Sequence, residues 1–388
     1  MLSYGLEPHI LSGMELTKRY ATWVEIDLGA IENNVAYFCE LSTAQVMAVV
    51  KANAYGHGSI EVAQAALRGG AAWLAVARAN EALYLRQAEI EAPILILGYT
   101  PPERINGLIQ AGVSLTVWDE RQLEWMSDAA IALDSDARLH LKVDTGMSRL
   151  GVRPVDVLQM VNMIESMPGL TLEGIFTHLA RADEAHPETT DHQLSRFEEV
   201  IETLTVKGCR PPIVHCANSA ATLKRLGAHF DLVRVGIAMY GLDPSSETPV
   251  PAVIRPALVW KSLLAQIKTL PAGQGISYGH RYTTTREERI GTIPVGYADG
   301  FRRVDGNRVI VGGRIVPVVG RVTMDQIMVN LDGLPEAEVG DEVVILGTQG
   351  KTRISAEEIA TQWGTINYEV TSGIAARVPR VYLERRYK

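Results

Sequence analysis

The stretch VMAVVKANAYGHGSIEVAQAALRGGAAWLAV, residues 46–76, decides how this chain folds. Val46–Val50 is a short apolar run of strand length, rich in β-branched residues. Apolar residues then recur at Ile60, Val62, Ala63, Ala66 and Leu67, one face of an amphipathic helix, before a second strand-like run at Trp73–Val76. Outward from this unit the rhythm repeats, with runs at Ile94–Leu97, Ser114–Val117, Leu139–Val143, Gly174–Thr177, Ile213–His215 and Leu232–Ile237. Helical patterns lie between them, such as Val155, Val157, Leu158 and Val161. Eight strands alternating with helices predict an α/β fold built on a TIM-type (β/α)8 barrel. An open doubly wound sheet is the alternative that periodicity leaves standing.

After Pro251 the pattern changes. Leu263–Thr269, Ile290–Val295, Val309–Val319, Gln326–Leu331 and Glu342–Leu346 are apolar segments separated by turn-rich stretches without comparable helices, which predicts a mainly β C-terminal domain. Ser355 and Glu358 have capping-box spacing and open one helix through Trp363. The expected boundaries are an N-terminal extension at 1–20, a barrel at 21–252 and a β-rich domain at 253–388.

Composition narrows the function classes. At 388 residues the chain is long enough for two cores, and a net charge of -8 without a dense Lys/Arg run argues against nucleic acid or an anionic membrane as partner. Cys39, Cys209 and Cys216 are odd in number and lack CxxC spacing, against a disulfide framework or cysteine zinc site and in favour of a reducing compartment. The opening MLSYGLEPHILSGMELTKRY mixes charges where a secretory signal needs an apolar core, and Met14 is an alternative start. With no apolar run of membrane-spanning length, the expected location is the cytoplasm.

In such barrels the chemistry sits at the C-terminal strand ends. Alternation puts Met47, Val49 and Lys51 on one face of the first strand, leaving an amine at the mouth of an apolar barrel. Desolvation there can yield a neutral amine for Schiff-base or proton chemistry; a lysine snorkelling to solvent is the alternative. The fifth strand brings Lys142 and Asp144 to one face, followed by Arg149, which either clamps a carboxylate or forms a surface ion pair. His178 ends the sixth strand, suited to stack on an aromatic ring or to serve structurally. Asn218 and Ser219 open a helix after the seventh strand, a place for an anion, and Gly236 permits close backbone approach in the eighth. Arg234 points inward and needs a partner: Asp231 is the structural candidate, a cofactor ring nitrogen the functional one. A metal-dependent hydrolase recruiting His178, His186 and His192 lacks recognised ligand spacing, so no metal is expected.

Seven segments in order resemble the alanine racemase family: VVKANAYGHG at 49–58, VDTGMSRLG at 143–151, HCANSAAT at 215–222, RVGIAMYGL at 234–242, ISYGHRYT at 276–283, PVGYADG at 294–300 and INYEV at 366–370. The resemblance runs from about Thr22 to Tyr382. It implies a barrel followed by a β domain, with the strand near Trp23–Ile26 packing with the latter. By motif, Lys51 resembles the lysine in Schiff-base linkage to pyridoxal 5'-phosphate, Arg234 the partner of its pyridine nitrogen and His178 a neighbour of its ring. Tyr55, Ser219, Gly236, Ile237 and Tyr368 match the phosphate site. Tyr278 resembles the second catalytic base, Arg149 and Met324 the holders of the substrate carboxylate, and Tyr297 and Asp325 residues lining the entrance. Read without the family, Tyr278 and Tyr297 are half-buried strand aromatics and Met324 a core filler. Lys142 matches a position that is carbamylated in many relatives. Thr323 and Ser148 depart from the common cysteine and glycine.

The implied reaction is interconversion of L-alanine and D-alanine by two bases, Lys51 and Tyr278, on opposite faces of a planar Cα. The implied assembly is a homodimer with shared sites, Tyr278 coming from the other subunit. A broader small-amino-acid racemase and an amino-acid decarboxylase on the same fold are the rivals; decarboxylases pair the pyridine nitrogen with an acidic residue where this chain has Arg234.

Overall fold

Eight parallel strands form where the sequence predicts them: β1 Gln45–Val49, β2 Trp73–Val76, β3 Ile94–Ile96, β4 Ser114–Val117, β5 Ala137–Lys142, β6 Leu170–Phe176, β7 Ile213–His215 and β8 Leu232–Val235. Each pairs with its neighbour in sequence from β1 to β7, and β8 pairs with β1. At the remaining seam the Asp231 N–H donates to Val214 O (3.0 Å) and the Arg234 N–H to Ala217 O (3.0 Å). The sheet therefore curls into a nearly closed barrel, and the open doubly wound alternative falls away. This computed structural model describes residues 19–385 and Tyr387, so the expected extension at 1–20 lies outside the described residues except for Arg19 and Tyr20.

Register decides what fills the barrel. Lys142 on β5, Phe176 on β6 and His215 on β7 are direct neighbours, as are Trp73 on β2, Met47 on β1 and Arg234 on β8. One side of the interior is thus cationic and aromatic rather than aliphatic. Outside, Ser59–Arg68 buries Val62, Ala63, Ala65 and Ala66, the face expected from its spacing. Val157–Ser166 buries Val157, Met160, Val161 and Ile164; of the pattern read there, Leu158 is half-buried and Val155 is 81% exposed, in the tight turn at Pro154–Asp156 that precedes the helix.

The chain divides into two compact units, Ala30–Pro256 and a second made of the segment ending at Gly29 with the segment beginning at Ala257. Thr22–Asp27 is a strand of the second unit, antiparallel to Leu258–Leu263 and parallel to Arg380–Leu383, as the family resemblance implied and against the boundary at 21 that put it with the barrel. Trp23, Val24 and Ile26 are fully buried there. Of the apolar segments read as single runs, Leu263–Thr269 straddles the break between the strands Leu258–Leu263 and Gln266–Leu270, and Val309–Val319 is a hairpin in which Arg308–Val311 turns back on Arg314–Val319 through Gly312 and Gly313. Those glycines have φ of +55° and +75°, the left-handed geometry of a two-residue hairpin loop. Ser355 caps Ala356–Trp363 as expected, with its Oγ accepting the Glu358 N–H (3.2 Å) and Glu358 Oε2 accepting the Ser355 N–H (2.7 Å), worth about 1 kcal/mol. Trp260, Phe301 and Trp363 pack edge-on in this unit's core.

Candidate active site

At the C-terminal end of β1 the strand stops at Val49, earlier than alternation predicts, and Lys51 opens a left-handed turn. Ala52, Asn53, Ala54 and Tyr55 have φ of +53°, +53°, +52° and +53°. Four successive L-residues in this region cost roughly 1–2 kcal/mol each, so the surroundings must over-determine the turn. Ala54 N–H donates to Val50 O (2.9 Å), Gly58 N–H to Asn53 O (2.9 Å), and Ser59 N–H to Asn53 Oδ1 (3.0 Å). The turn leaves Lys51 half-buried. Burial first, and Arg149 next, hold its pKa below the ordinary lysine range against an opposing pull from Glu81.

Arg234 is buried, and no carboxylate pairs with it among the described residues. Its NH1 donates to His215 Nδ1 (2.8 Å), its NH2 to Thr177 O and Cys216 O (2.9 Å each), with His178 Nδ1 at 3.3 Å. Asp231 instead accepts from Arg210 (2.7 Å) and the Val214 N–H (2.8 Å), which removes the structural alternative. Because a guanidinium only donates, His215 Nδ1 must accept; a neutral His215 then donates from Nε2 to His140 Nδ1 (3.0 Å). His140 Nε2 in turn donates to Glu173 Oε2 (3.2 Å), a carboxylate also bound by Ser114 Oγ (2.5 Å). The buried cation is thereby linked to an anion through two imidazoles. Burial lowers the Arg234 pKa to about 10, still above neutrality. The His140 ring rests on Gly174, where a Cβ would lie 2.4 Å from Nδ1.

Lys142 is buried with its Nζ 4.5 Å from the centre of the Phe176 ring, and Phe176 stacks on His215 at 4.7 Å. Burial, then Arg234 and Arg149, hold the Lys142 pKa well below the lysine range. Burial and the same cations push His178 well below the ordinary histidine value. Asp144 Oδ1 accepts the N–H groups of Gly146, Met147 and Ser148 (3.0, 2.9 and 3.0 Å), shaping the loop that presents Arg149. Ser148 has φ +55°, a conformation glycine takes freely, which accounts for the glycine common at this position in the resemblance. Arg149 is exposed and forms no ion pair among the described residues, so the surface-bridge alternative falls away. Lys51, Lys142, Arg149 and Arg234 thus converge, four cations that bear on one another with Glu81 and Asp144 as the opposing anions, an excess of positive charge suited to an anionic ligand.

A place for such a ligand lies between β7 and β8. Asn218 caps Ser219–Lys224 by accepting the Ala221 N–H (3.1 Å), and Ser219 Oγ accepts the Gly236 N–H (2.9 Å). A Cβ on Gly236 would lie 2.7 Å from Tyr55 Oη, so only glycine lets that hydroxyl approach. The Tyr55 ring packs on Tyr240 (4.9 Å), and Ile237 begins the short turn Ile237–Tyr240.

In the β unit, Tyr278 is 70% exposed, Met324 52% and Tyr297 47%; none is a half-buried strand aromatic or a core filler. Ser277 Oγ donates to Arg321 O (2.7 Å), while the Tyr297 and Ala298 N–H groups donate to Thr323 O and Met324 O (3.1 and 3.0 Å). These bonds gather Tyr278, Tyr297 and Met324 on neighbouring loops. Arg377 ties the same corner together through Asp299 (2.7 Å) and Asp325 (2.6 Å). Tyr368 lies in Asn367–Ser372, half-buried. Glu81, His140, Glu173, Phe176 and Arg377 were passed over in the sequence; of these only His140, two residues before Lys142 on the same strand face, was readable by alternation. Among the described residues no cluster of three or more His, Cys, Asp or Glu side chains could hold a metal ion, and no helix is long and apolar enough to cross a membrane.

Family models for the alanine racemase N-terminal domain and C-terminal domain match residues 26–244 and 257–382. The alanine racemase of Symbiobacterium thermophilum is 45% identical over 95% of this chain and 99% of that protein, and that of Geobacillus stearothermophilus 44% identical over 94% of each. Among solved structures, the Bacillus anthracis alanine racemase with bound L-Ala-P superposes with a TM-score of 0.88 at 46% identity, covering 95% of this chain and 96% of that one. The Streptomyces lavendulae alanine racemase gives 0.89 at 40% identity, covering 94% and 97%.

Proposed function

The chain belongs to the alanine racemase family, and from that premise we propose that it interconverts L-alanine and D-alanine with pyridoxal 5'-phosphate, as a homodimer. The observation that carries this reading is the convergence of four cations at one end of the barrel: Arg149 and Arg234 each lower the pKa of both Lys51 and Lys142, together outweighing the opposing pull of Glu81 on the one and Asp144 on the other. The donor set fits the cofactor. Lys51 would hold its aldehyde carbon, Arg234 its ring nitrogen, His178 its ring, and Ser219, Gly236, Ile237, Tyr55 and Tyr368 its phosphate. When bound, the group supplies a conjugated ring that spreads the negative charge left on Cα.

Arg149, with Met324, holds the substrate carboxylate bidentately and fixes which Cα face each base meets. The Lys51 amine, kept available by burial, serves the face from which D-alanine loses its proton. Tyr278 serves the L face. Its 70% exposure within its own unit favours its delivery to the site of a second copy, with Tyr297 and Asp325 lining the entrance. Arg234 keeps its proton at neutral pH, so a cofactor ring nitrogen held by it would stay unprotonated and would draw electrons less strongly, disfavouring side reactions such as transamination. An arginine there also speaks against the decarboxylase rival.

Lys142 is the best-motivated site of modification. Burial and the neighbouring arginines bias its amine toward the neutral form, which would attack carbon dioxide, an N–C bond forming as a C=O π bond opens and one proton leaves to solvent, to give a carbamate anion that could pair with Arg149. The test of the whole reading is to incubate purified protein with L-alanine and pyridoxal phosphate and follow D-alanine with an enantiospecific oxidase. D-alanine should accumulate to parity, and lose that ability after borohydride reduction; no D-alanine overturns the reading. For the shared site, Lys51→Ala and Tyr278→Phe proteins, each nearly inactive, should regain activity when mixed as heterodimers. No recovery would favour sites within one chain.

A further inference from the structure

The strained turn after Lys51 has a holder 29 residues away. Glu81 Oε1 accepts the Ala52 N–H at 2.6 Å, while Glu81 Oε2 accepts the Ala77 N–H at 2.8 Å and the Arg78 N–H at 3.1 Å. One carboxylate thus staples the first left-handed residue after β1 to the loop after β2. An ordinary first-turn glutamate of Ala79–Gln87 would bond only near its own helix start. The bond to Ala52 goes further and meets the chain where it departs from the right-handed region. At the other end of the same turn, the Tyr55 hydroxyl is seated against Gly236. Lys51 and Tyr55 therefore depend on the same four residues for their directions.

We propose that Glu81 is a positioning residue: by gripping the Ala52 N–H it holds the left-handed turn, and through the turn it sets the direction of the Lys51 amine and the seat of the Tyr55 hydroxyl. The catalytic half of this statement rests on the racemase reading; the grip on the turn does not. Arg149, Arg234 and Glu81 are the charged groups that bear on Lys51, and Glu81 is the anion among them, so it also favours the protonated amine. Losing the carboxylate would both loosen the turn and weaken the hold on a proton that Lys51 has taken.

The experiment compares wild-type holoenzyme with Glu81→Ala, Glu81→Gln, and Glu81→Ala combined with Ala52→Gly. Amide exchange at Ala52 should speed up by about tenfold or more in Glu81→Ala, the factor for one charge-assisted hydrogen bond. In the same variant kcat should fall about tenfold or more with KM for alanine within about twofold, because the lysine is misdirected while Arg149 is untouched. Glu81→Gln keeps one acceptor oxygen and should fall between; it carries the comparison if circular dichroism shows Glu81→Ala to be unfolded. Adding Ala52→Gly, whose backbone takes the left-handed conformation without steric cost, should recover about fivefold of the lost kcat. Unchanged Ala52 exchange overturns the grip. Faster exchange with unchanged kcat, or a loss of kcat that glycine does not rescue, overturns the positioning role. A wild-type protein that does not racemise alanine would sink the racemase reading instead, and the exchange measurement would still decide whether Glu81 holds the turn.

Discussion

Replacing Arg234 by methionine, an unbranched side chain of similar length, removes the cation and all its donors at once. Left behind in the barrel are Thr177 O, Cys216 O and His215 Nδ1, each now bonded at 2.8–2.9 Å. A buried polar group stranded in this way costs about 1–3 kcal/mol, so three at the low end amount to roughly 3 kcal/mol. Burying a guanidinium is itself unfavourable, and its removal returns part of that, which puts the expected net loss near 2 kcal/mol. The electrostatic consequence is more specific. After burial, Arg234 is the leading cause of the depressed proton affinities of Lys142, His178 and His215. For the two histidines the folded pKa lies below the unfolded value of about 6.5. As pH falls through that value the unfolded chain takes up protons that the folded chain refuses, so stability drops, by up to about 1.4 kcal/mol per pH unit for each histidine. Arg234→Met lifts part of this depression and should make the acid loss shallower even as it lowers stability at neutral pH. Urea denaturation midpoints measured from pH 7.5 down to pH 5, with ¹⁵N-histidine spectra to follow His215, test both effects. An unchanged midpoint together with an unchanged acid slope would refute the account of Arg234 as a hydrogen-bonded, unpaired buried cation.

The other expectations are narrower. Gly236→Ala puts a Cβ against a tyrosine hydroxyl that has Tyr240 behind it, so it should cost about 1–3 kcal/mol and weaken pyridoxal-phosphate affinity about tenfold or more by absorbance titration; unchanged affinity would contradict the close approach. In the wild type, ¹⁵N spectra should show His140 and His215 both neutral, with the proton on Nε2 and Nδ1 bare, and a proton on Nδ1 of either would break the inferred chain from Arg234 to Glu173. Glu173→Leu removes the acceptor of two hydrogen bonds, from His140 and Ser114, and should lower stability by about 3 kcal/mol; a wild-type melting curve would mean the relay carries no load. Intact mass spectrometry at neutral or alkaline pH should reveal one carbon dioxide adduct that disappears on acidification and in Lys142→Ala, while its absence would count against the modified lysine.

Local order was readable because it has a period. The eight barrel runs, the helical face at Val62, Ala63 and Ala66, and the Ser355 capping box follow from spacings of two, three or four residues, and such spacings do not depend on distant parts of the chain. Lys51 was legible for the same reason, as an amine at the end of an apolar strand. Its surroundings were not. Within the run Lys51–Tyr55 only Asn53 tolerates the left-handed turn; sterics oppose it at the other residues, and hydrogen bonds to Val50 O, from Gly58 and Ser59 to Asn53, and to a carboxylate at position 81 hold it. The chain from Arg234 through His215 and His140 to Glu173 joins strands 75 and 33 residues apart across its two imidazole links, contacts that exist only once the barrel closes. Thr22–Asp27 carries a strand pattern in either unit, and pairing with Leu258–Leu263 and Arg380–Leu383 chose between them. Sequence alone therefore determined the alternating β/α units, the β-rich C-terminal part and the place of Lys51 at a strand end, whereas tertiary structure decided the closure of the barrel, the turn that carries Lys51, the partners of Arg234 and the exposure of Tyr278, because hydrogen bonds and burial between remote segments leave no local periodicity to read.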